Sequence, residues 1–341
     1  MIYDGGVSRH PHPSPDAAVH PYADLTPDLI LQALESAGFN GDGRLLALNS
    51  YENRVYQIGI EDGSPVVAKF YRPERWSDAA ILEEHGFARA LAAQEIPVVA
   101  PLPDARDRTL HEYAGFRFAV YPRSGGRWPE LDLPGVRAQI GRMLGRLHAV
   151  GAAGRFAHRG TLDVETLGDA SRTFVLDHGW VPDYLIRAYD SLTADLLAGV
   201  RERFAQISGM KLLRLHGDCH PGNILWTDTG PHFVDLDDCR MGPAVQDLWM
   251  LLSGEVDERR RQLDAVLEGY ETFTDFDHRE LHLIEALRTL RIMHYTAWIA
   301  RRWDDPAFPL AFPWFDSPRY WEEHILSLRE QAAALEQDRY H

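Results

Sequence analysis

The sequence predicts an α+β chain in which a smaller, β-rich half precedes a larger helical half. Three observations lead there. Strand-like runs at Val55 to Ile60 and Pro65 to Tyr71 are joined by Glu61-Asp62-Gly63-Ser64, and Asp-Gly between two such runs is a strong hairpin signal. Beyond the Gly/Pro-rich break at Pro122 to Pro129, apolar residues recur mostly at helical spacing. Inside that helical half lies one more hairpin, where Ile224-Leu225-Trp226 and Phe233-Val234 flank the turn sequence Asp228-Thr229-Gly230-Pro231.

Each element has a local cause. Residues 1–23 are expected to form a flexible tail, in which prolines separate His10, His12 and His20 and nothing organises them as metal ligands. Thr26-Pro27-Asp28 reads as an N-cap with proline in the first turn; Leu29, Ile30, Ala33 and Leu34 form one apolar face, and Gly38 stops the helix. Leu45 to Leu48 is a first strand-like stretch, and Tyr56, Ile58 and Ile60 share a face of the second. The third, Pro65 to Tyr71, is apolar except for Lys69. Ser77 to Leu91 carries Ile81, Leu82, His85, Ala88 and Leu91 at helical spacing. Pro97 to Pro103 is a stop, and Phe116 to Tyr121 is another strand. Val136, Ile140, Met143, Leu144 and Leu147 make an amphipathic helix, and Glu280 to Trp303 is read as one long helix. The expected partition is a tail over 1–23, a first lobe over 24–121 and a second over 122–341.

Composition narrows the function. A chain of 341 residues suits about two domains. With Asp+Glu at 51 and Lys+Arg at 35, the formal charge is −16, which disfavours binding nucleic acid through its phosphates. Cys219 and Cys239 are too few for a disulfide framework and suit a reducing, cytoplasmic compartment. No apolar run reaches the roughly 18 residues of a membrane span, and the N-terminus lacks the basic and apolar regions of a signal peptide. The chain has two lysines, Lys69 and Lys211, neither followed by Ser or Thr, so a Walker A loop is excluded. Gly41-Asp42-Gly43 meets Leu46 where the dinucleotide fingerprint needs its third glycine.

The most polar, least periodic segment runs from Leu215 through His216-Gly217-Asp218-Cys219-His220-Pro221-Gly222-Asn223 and resumes at Asp235-Leu236-Asp237-Asp238. Asp218 and Asn223 have the D-x-x-x-x-N spacing of a kinase catalytic loop, and Asp235 follows the second hairpin strand, where a kinase keeps a metal-binding aspartate. Moving a γ-phosphoryl group needs divalent cations on the phosphates and a carboxylate for the acceptor's proton. Asn223 and Asp235 would supply oxygen ligands for magnesium, and Asp218 would be the base. Val66-Val67-Ala68-Lys69 is like the strand lysine that pairs with nucleotide phosphates. Glu83 and Glu84 are its candidate partners, with Glu84 preferred. Asn49 to Arg54 stands where a phosphate-covering loop belongs, without glycine, so that Ser50 and neighbouring amides would do the cradling.

His216-Gly217-Asp218 with Asn223 and Asp235 resembles the aminoglycoside phosphotransferase/choline kinase group of two-lobed, protein-kinase-like folds. Four longer segments resemble the stress response kinase A family: Leu48 to Tyr56, Lys69 to Trp76, Leu215 to Trp226, and Gly242 to Trp249. Trp303 to Pro309 does so as well, and the resemblance runs from about Leu25 to Glu336. It implies a bacterial cytoplasmic Ser/Thr protein kinase that uses ATP and Mg2+, autophosphorylates, and acts in a stress response. By position, Asp218 matches the proton acceptor, Asn223 and Asp235 the magnesium ligands, and Ser50 the ATP-site serine. With Lys69 on the phosphates and Glu84 holding the lysine in the nucleotide site, the adenine is expected near Val120, Tyr121 and Pro122.

Other functions weigh less. A small-molecule phosphotransferase acting on an amino-alcohol or aminoglycoside shares the kinase signature, and the acidic balance suits a cationic acceptor. A nucleotide-binding scaffold without turnover would not need every catalytic residue type. His216 and His220 flank Asp218 in a metal-hydrolase-like H-x-D-x-H, but structural roles are the expectation, as are scaffold roles for Asp237, Asp238 and Asp247. Asp247 is a candidate anchor of the catalytic loop. Cys219 and Cys239 read as packing residues rather than a redox switch. Trp298, Trp303, Trp314 and Trp321 cluster late and are candidates to line an acceptor groove.

Overall fold

The computed structural model describes residues 20–337; the expected tail and its histidines His10 and His12 lie outside them up to Val19. Helix α1 (Pro27–Ser36) starts where Thr26 accepts the Leu29 N–H on its side chain. Strands β1 (Gly41–Ala47), β2 (Arg54–Ile60) and β3 (Val66–Phe70) follow, then helix α2 (Asp78–Ala93) and strands β4 (His111–Tyr113) and β5 (Phe116–Pro122). Helices α3 (Val136–Ala152), α4 (Ala170–Asp177) and α5 (Ile186–Ala205) precede four short strands, β6 (Leu213–Arg214), β7 (Ile224–Thr227), β8 (Gly230–Phe233) and β9 (Met241–Gly242). Helices α6 (Gln246–Trp249), α7 (Val256–Tyr270), α8 (Ile284–Ala300), α9 (Ala307–Ala311) and α10 (Pro318–Glu336) follow. The long helix expected over Glu280 to Trp303 is a 3-10 segment at His278–Leu283 followed by α8.

The chain packs as two units. One comprises Pro21–Thr161 and Lys211–Asp277. Its antiparallel sheet has the order β1-β2-β3-β5-β4. The β2–β3 turn is tight because Asp62 takes a left-handed conformation, φ 55°. Strand alternation then sorts the side chains of β3 and β5. Ala68 and Phe70 pack with Phe118, Val120 and the Ile30 and Leu34 side chains of α1. Tyr71 and Ala119 pack on the other side against Ile81 of α2, with Tyr121 beside them. Lys69, paired with Val55 and Ala119 in the sheet, lies on this α2 side. Ser77 caps α2 through the Ala80 N–H, and the buried face of the helix includes Ile81, Glu84, His85 and Ala88.

In the same unit, β6 pairs with β9 and β7 with β8, all antiparallel. The polar segments 215–223 and 234–240 are the loops left between these short ladders. Helices α3 and α7 cross closely, since a Cβ at Gly269 would run into the Ala138 carbonyl. The other unit takes in His20, Leu162–Met210 and the chain from His278 on. Its helices surround an aromatic core: Trp180 meets Trp303 edge-on at 5.8 Å, and Tyr189 meets Trp321 at 6.1 Å. Trp303 and Trp321 are thus buried core residues and line no groove; Trp314 is 43% exposed.

Candidate active site

Lys69 is buried, and its ammonium faces three carboxylates. Nζ lies 2.8 Å from Asp237 Oδ1 and 3.3 Å from both Glu84 Oε1 and Asp235 Oδ1. The Tyr71 ring is 5.0 Å from it. Burial alone would lower the lysine's pKa, but Asp237, then Glu84, then Asp235 outweigh it and hold the ammonium well above its usual range. The glutamate that reaches Lys69 is Glu84, whereas the Glu83 carboxylate accepts the backbone N–H groups of Ala157, His158 and Arg159. Consecutive helix residues point about 100° apart, so one of the two faces the sheet and the other leaves it.

Asp237 is the hub of the acidic group. Besides Lys69 it takes the Arg75 guanidinium and, at 3.2 Å, the Asn53 amide. Burial would raise its pKa; Arg75 and then Lys69 override that and lower it. Asn53 also accepts the Arg72 N–H through Oδ1 at 3.1 Å. One buried carboxylate thereby ties together the loop after β1, the turn after β3 and the loop after β8. Within the first of these, Ser50 Oγ donates to the Asn53 carbonyl at 3.1 Å, which closes the turn.

The loop after β6 is held from beneath. Asp247 accepts the N–H groups of His216 at 2.7 Å and Gly217 at 2.8 Å. It also accepts from His148 Nε2 at 3.0 Å, while His148 Nδ1 meets the Tyr270 hydroxyl at 2.9 Å. His216 Nε2 donates to the Val234 carbonyl at 2.9 Å. Gly217 has φ 87°, and a Cβ there would collide with the Asp238 carbonyl, so only glycine lets the two loops pass. His220 Nε2 stands 3.5 Å from Asp218 Oδ2.

Asn223 is oriented by its own loop. Its Nδ2 donates to the Asp218 carbonyl at 3.0 Å, which turns Oδ1 outward, and its backbone carbonyl accepts the Val234 N–H at 3.0 Å. The next residue, Asp235, sits in the left-handed region at φ 59°, ψ 69°, a conformation that aspartate adopts more readily than most side chains. Its side chain is 54% exposed, with one oxygen toward Lys69. A turned-out amide oxygen and a half-exposed carboxylate are hard oxygen donors that fit magnesium, which takes one or two such ligands and completes its shell with phosphate and water. Among the described residues no cluster of three or more His, Cys, Asp or Glu could hold a metal by itself.

The residues singled out from sequence fall unevenly around this centre. Lys69, Glu84 and Asp235 meet directly, Asp218 and Asn223 share a loop, and Ser50 is joined to Asp237 through Asn53. Tyr121 is on the lysine face, its hydroxyl 2.9 Å from that of Tyr71. Val120 is on the opposite face, fully buried with the α1 core, and its carbonyl accepts the Leu102 N–H at 2.7 Å. Cys219 and Cys239 are buried free thiols whose pKa values burial raises, the reverse of a reactive thiolate. Sequence reasoning missed Asn53, Arg75 and Arg159; it read Asp237 as scaffold, and the ties of that carboxylate to Lys69, Arg75 and Asn53 fit that role. The one available signal was the Arg72 to Trp76 segment, which has no periodicity of its own.

The family model "Phosphotransferase enzyme family" matches residues 44–284. Stress response kinase A of Escherichia coli (strain K12) is 47% identical over 316 residues, 93% of this chain and 95% of that protein. Serine/threonine protein kinase RdoA of Salmonella typhimurium is 45% identical over 314 residues, 92% and 94% of the two chains. Among solved structures, amicoumacin kinase hAmiN in complex with AMP-PNP, Ca2+ and Ami superposes with a TM-score of 0.68 at 21% identity, covering 88% of this chain and 93% of that one. The microcompartment-associated aminopropanol kinase gives 0.68 at 17% identity, covering 91% and 98%. At such identities the two structures speak to the fold, which is the two-lobed kinase-like one.

Proposed function

This chain belongs to the phosphotransferase enzyme family and is a kinase of the stress response kinase A group, and from that premise we propose that it is an ATP-dependent Ser/Thr protein kinase that also phosphorylates itself in a bacterial stress response. The observation that carries the proposal is the convergence on Lys69, where Glu84 from α2 and Asp235, 166 residues downstream, both stand at 3.3 Å. An ammonium so placed serves phosphate oxygens when nucleotide arrives. Asn223 through Oδ1 and Asp235 through its exposed oxygen are the residues to hold magnesium, and Ser50 and its neighbours are the loop to cover the phosphates. With magnesium held by Asn223 and Asp235, the negative charge of the phosphates would be neutralised. Tyr121 and the backbone around Val120 border the place for adenine.

Asp218 acts as the base. As the acceptor hydroxyl oxygen bonds to the γ-phosphorus, its proton passes to the Asp218 carboxylate, and the bond from that phosphorus to the bridging oxygen of ADP breaks. A protein acceptor is favoured because the relatives that match over nine-tenths of the chain are named as stress response and serine/threonine protein kinases. The second reading, a small amino-alcohol or aminoglycoside acceptor, draws on the charge of −16, which attracts cations. Labelled ATP and magnesium decide between them. Label on the chain itself or on a generic protein substrate supports the proposal; label only on added small alcohols replaces it. Asp218→Asn should abolish transfer and leave nucleotide affinity within about threefold, since loss of a proton acceptor acts on the transition state and not on binding.

A further inference from the structure

The segment 157–159 takes part in none of the chemistry above, yet it grips the acidic pair of α2 from both sides. Its backbone donates three N–H groups to Glu83, at 2.6, 2.9 and 2.9 Å. Its arginine turns inward with no exposed side-chain surface and holds Glu84. Arg159 donates from Nε to the Ala80 carbonyl at 2.8 Å and from one terminal nitrogen to Glu84 Oε2 at 2.7 Å. The other terminal nitrogen donates to the carbonyls of Asp237 at 2.8 Å and Cys239 at 3.1 Å. The guanidinium lies 4.5 Å from the Trp76 ring, and the Gly160 carbonyl next door accepts the Met241 N–H at 3.0 Å.

We propose that Arg159 is the positioning residue that locks the Lys69–Glu84 pair to the loop carrying Asp235. The inference rests on the kinase reading above. One rigid fork spans the free oxygen of Glu84 and two carbonyls of the turn that follows Asp235, so α2 and that loop cannot shift independently. Glu84 offers Oε1 to Lys69 and Oε2 to Arg159; the placement of the Lys69 ammonium for the phosphates therefore depends on where the 236–239 turn stands. A lysine could keep the charge but not the fork, since one ammonium cannot reach four acceptors in three directions.

The test is Arg159→Lys, measured for kcat, ATP KM, half-activating Mg2+ and thermal unfolding. Loss of a group that orients a metal ligand costs about 10–100-fold. We expect kcat to fall by about that factor and half-activating Mg2+ to rise about tenfold, with ATP KM changed less than about threefold. Unchanged kcat and Mg2+ dependence per folded molecule, whatever the melting temperature does, would overturn the proposal. Should Arg159→Lys fail to fold, Glu83→Gln leaves the arginine in place while weakening its seat, and it should move the same two parameters by about threefold. If the wild-type chain binds ATP but transfers to nothing, the kinase reading fails while the coupling is still testable by amide hydrogen exchange in Arg159→Lys. Residues 80–88 and 236–241 should then loosen together; loosening of one without the other refutes the lock.

Discussion

The Asp247 carboxylate accepts the backbone N–H groups of two successive residues, His216 at 2.7 Å and Gly217 at 2.8 Å, and so hangs the Asp218 loop from α6. Both donors and the acceptor are buried, so the pair of charge-assisted bonds has no water to replace it. Asp247→Asn keeps one acceptor oxygen and turns an amide N–H toward a backbone N–H. It should lose about 2–4 kcal/mol in urea unfolding and lower the transfer rate as well, because the loop it suspends carries the base. Rate loss with wild-type stability would show that Asp247 acts on substrate and not on the loop.

Lys69→Met removes the one charge that three carboxylates share. Arg75 and Arg159 remain, but Glu84 and Asp237 become under-compensated in a buried place, which typically costs about 3–5 kcal/mol. The sign of the pH effect follows. Burial already holds the Glu84 pKa above its usual value, and losing the ammonium that opposes this raises it further, so the native chain binds more protons there. The variant's deficit should therefore grow as pH rises from 4 to 7, which paired urea titrations would measure.

Histidine 85 offers the opposite slope. Burial first, then the positive charge of Lys69, pushes its pKa down to about 3. It stays neutral between the Tyr71 hydroxyl at 2.7 Å and Thr109 Oγ1 at 2.8 Å. The unfolded chain takes up that proton below about 6.5 and the native chain does not until near 3, so stability falls as pH falls through this window. His85→Gln should flatten the slope by about 1.4 kcal/mol per pH unit between 6 and 4. An unchanged slope would mean that His85 binds its proton alike in the folded and unfolded chains, which overturns this prediction.

Two glycines should respond with opposite sign. Gly217→Ala must take a left-handed φ and drive its methyl into the Asp238 carbonyl; at least about 2 kcal/mol of destabilisation and a collapse of transfer are expected. Gly86, inside α2, has open space where a Cβ would go. Gly86→Ala should stabilise by about 0.5–1 kcal/mol through helix propensity and leave turnover intact. Calorimetry on the two proteins side by side checks both.

Much of this was legible in the residues because it rests on local rules. Alternation along β3 fixes the face of Lys69, Asp62-Gly63 fixes the turn before it, and the five-residue spacing of Asp218 and Asn223 survives any packing. What stayed hidden is tertiary. Arg159 reaches Asp237 across 78 positions, and Asn53 reaches it across 184; nothing along the chain marks an arginine as buried when most are solvated. Asp237 was legible as a scaffold acid but not as the hub it is, because its two cationic partners come from a distant strand and the turn after it. The late tryptophans misled for the same reason, since clustering in sequence says nothing about which rings the helices turn inward.

The placement of Lys69 on the α2 side of its sheet, with Ala68 and Phe70 turned the other way, has a consequence for how the gene can vary. Parity governs the strand. Lengthening the exposed turn at residues 61–65 leaves every orientation intact, whereas inserting a single codon between Val66 and Lys69 would exchange the two faces, aiming a cation into oil and a benzyl ring at the acids. A second inserted codon would restore the orientation while shifting the lysine's height along the sheet. Length polymorphism among natural variants should accordingly collect in the hairpin and spare the five residues that follow it.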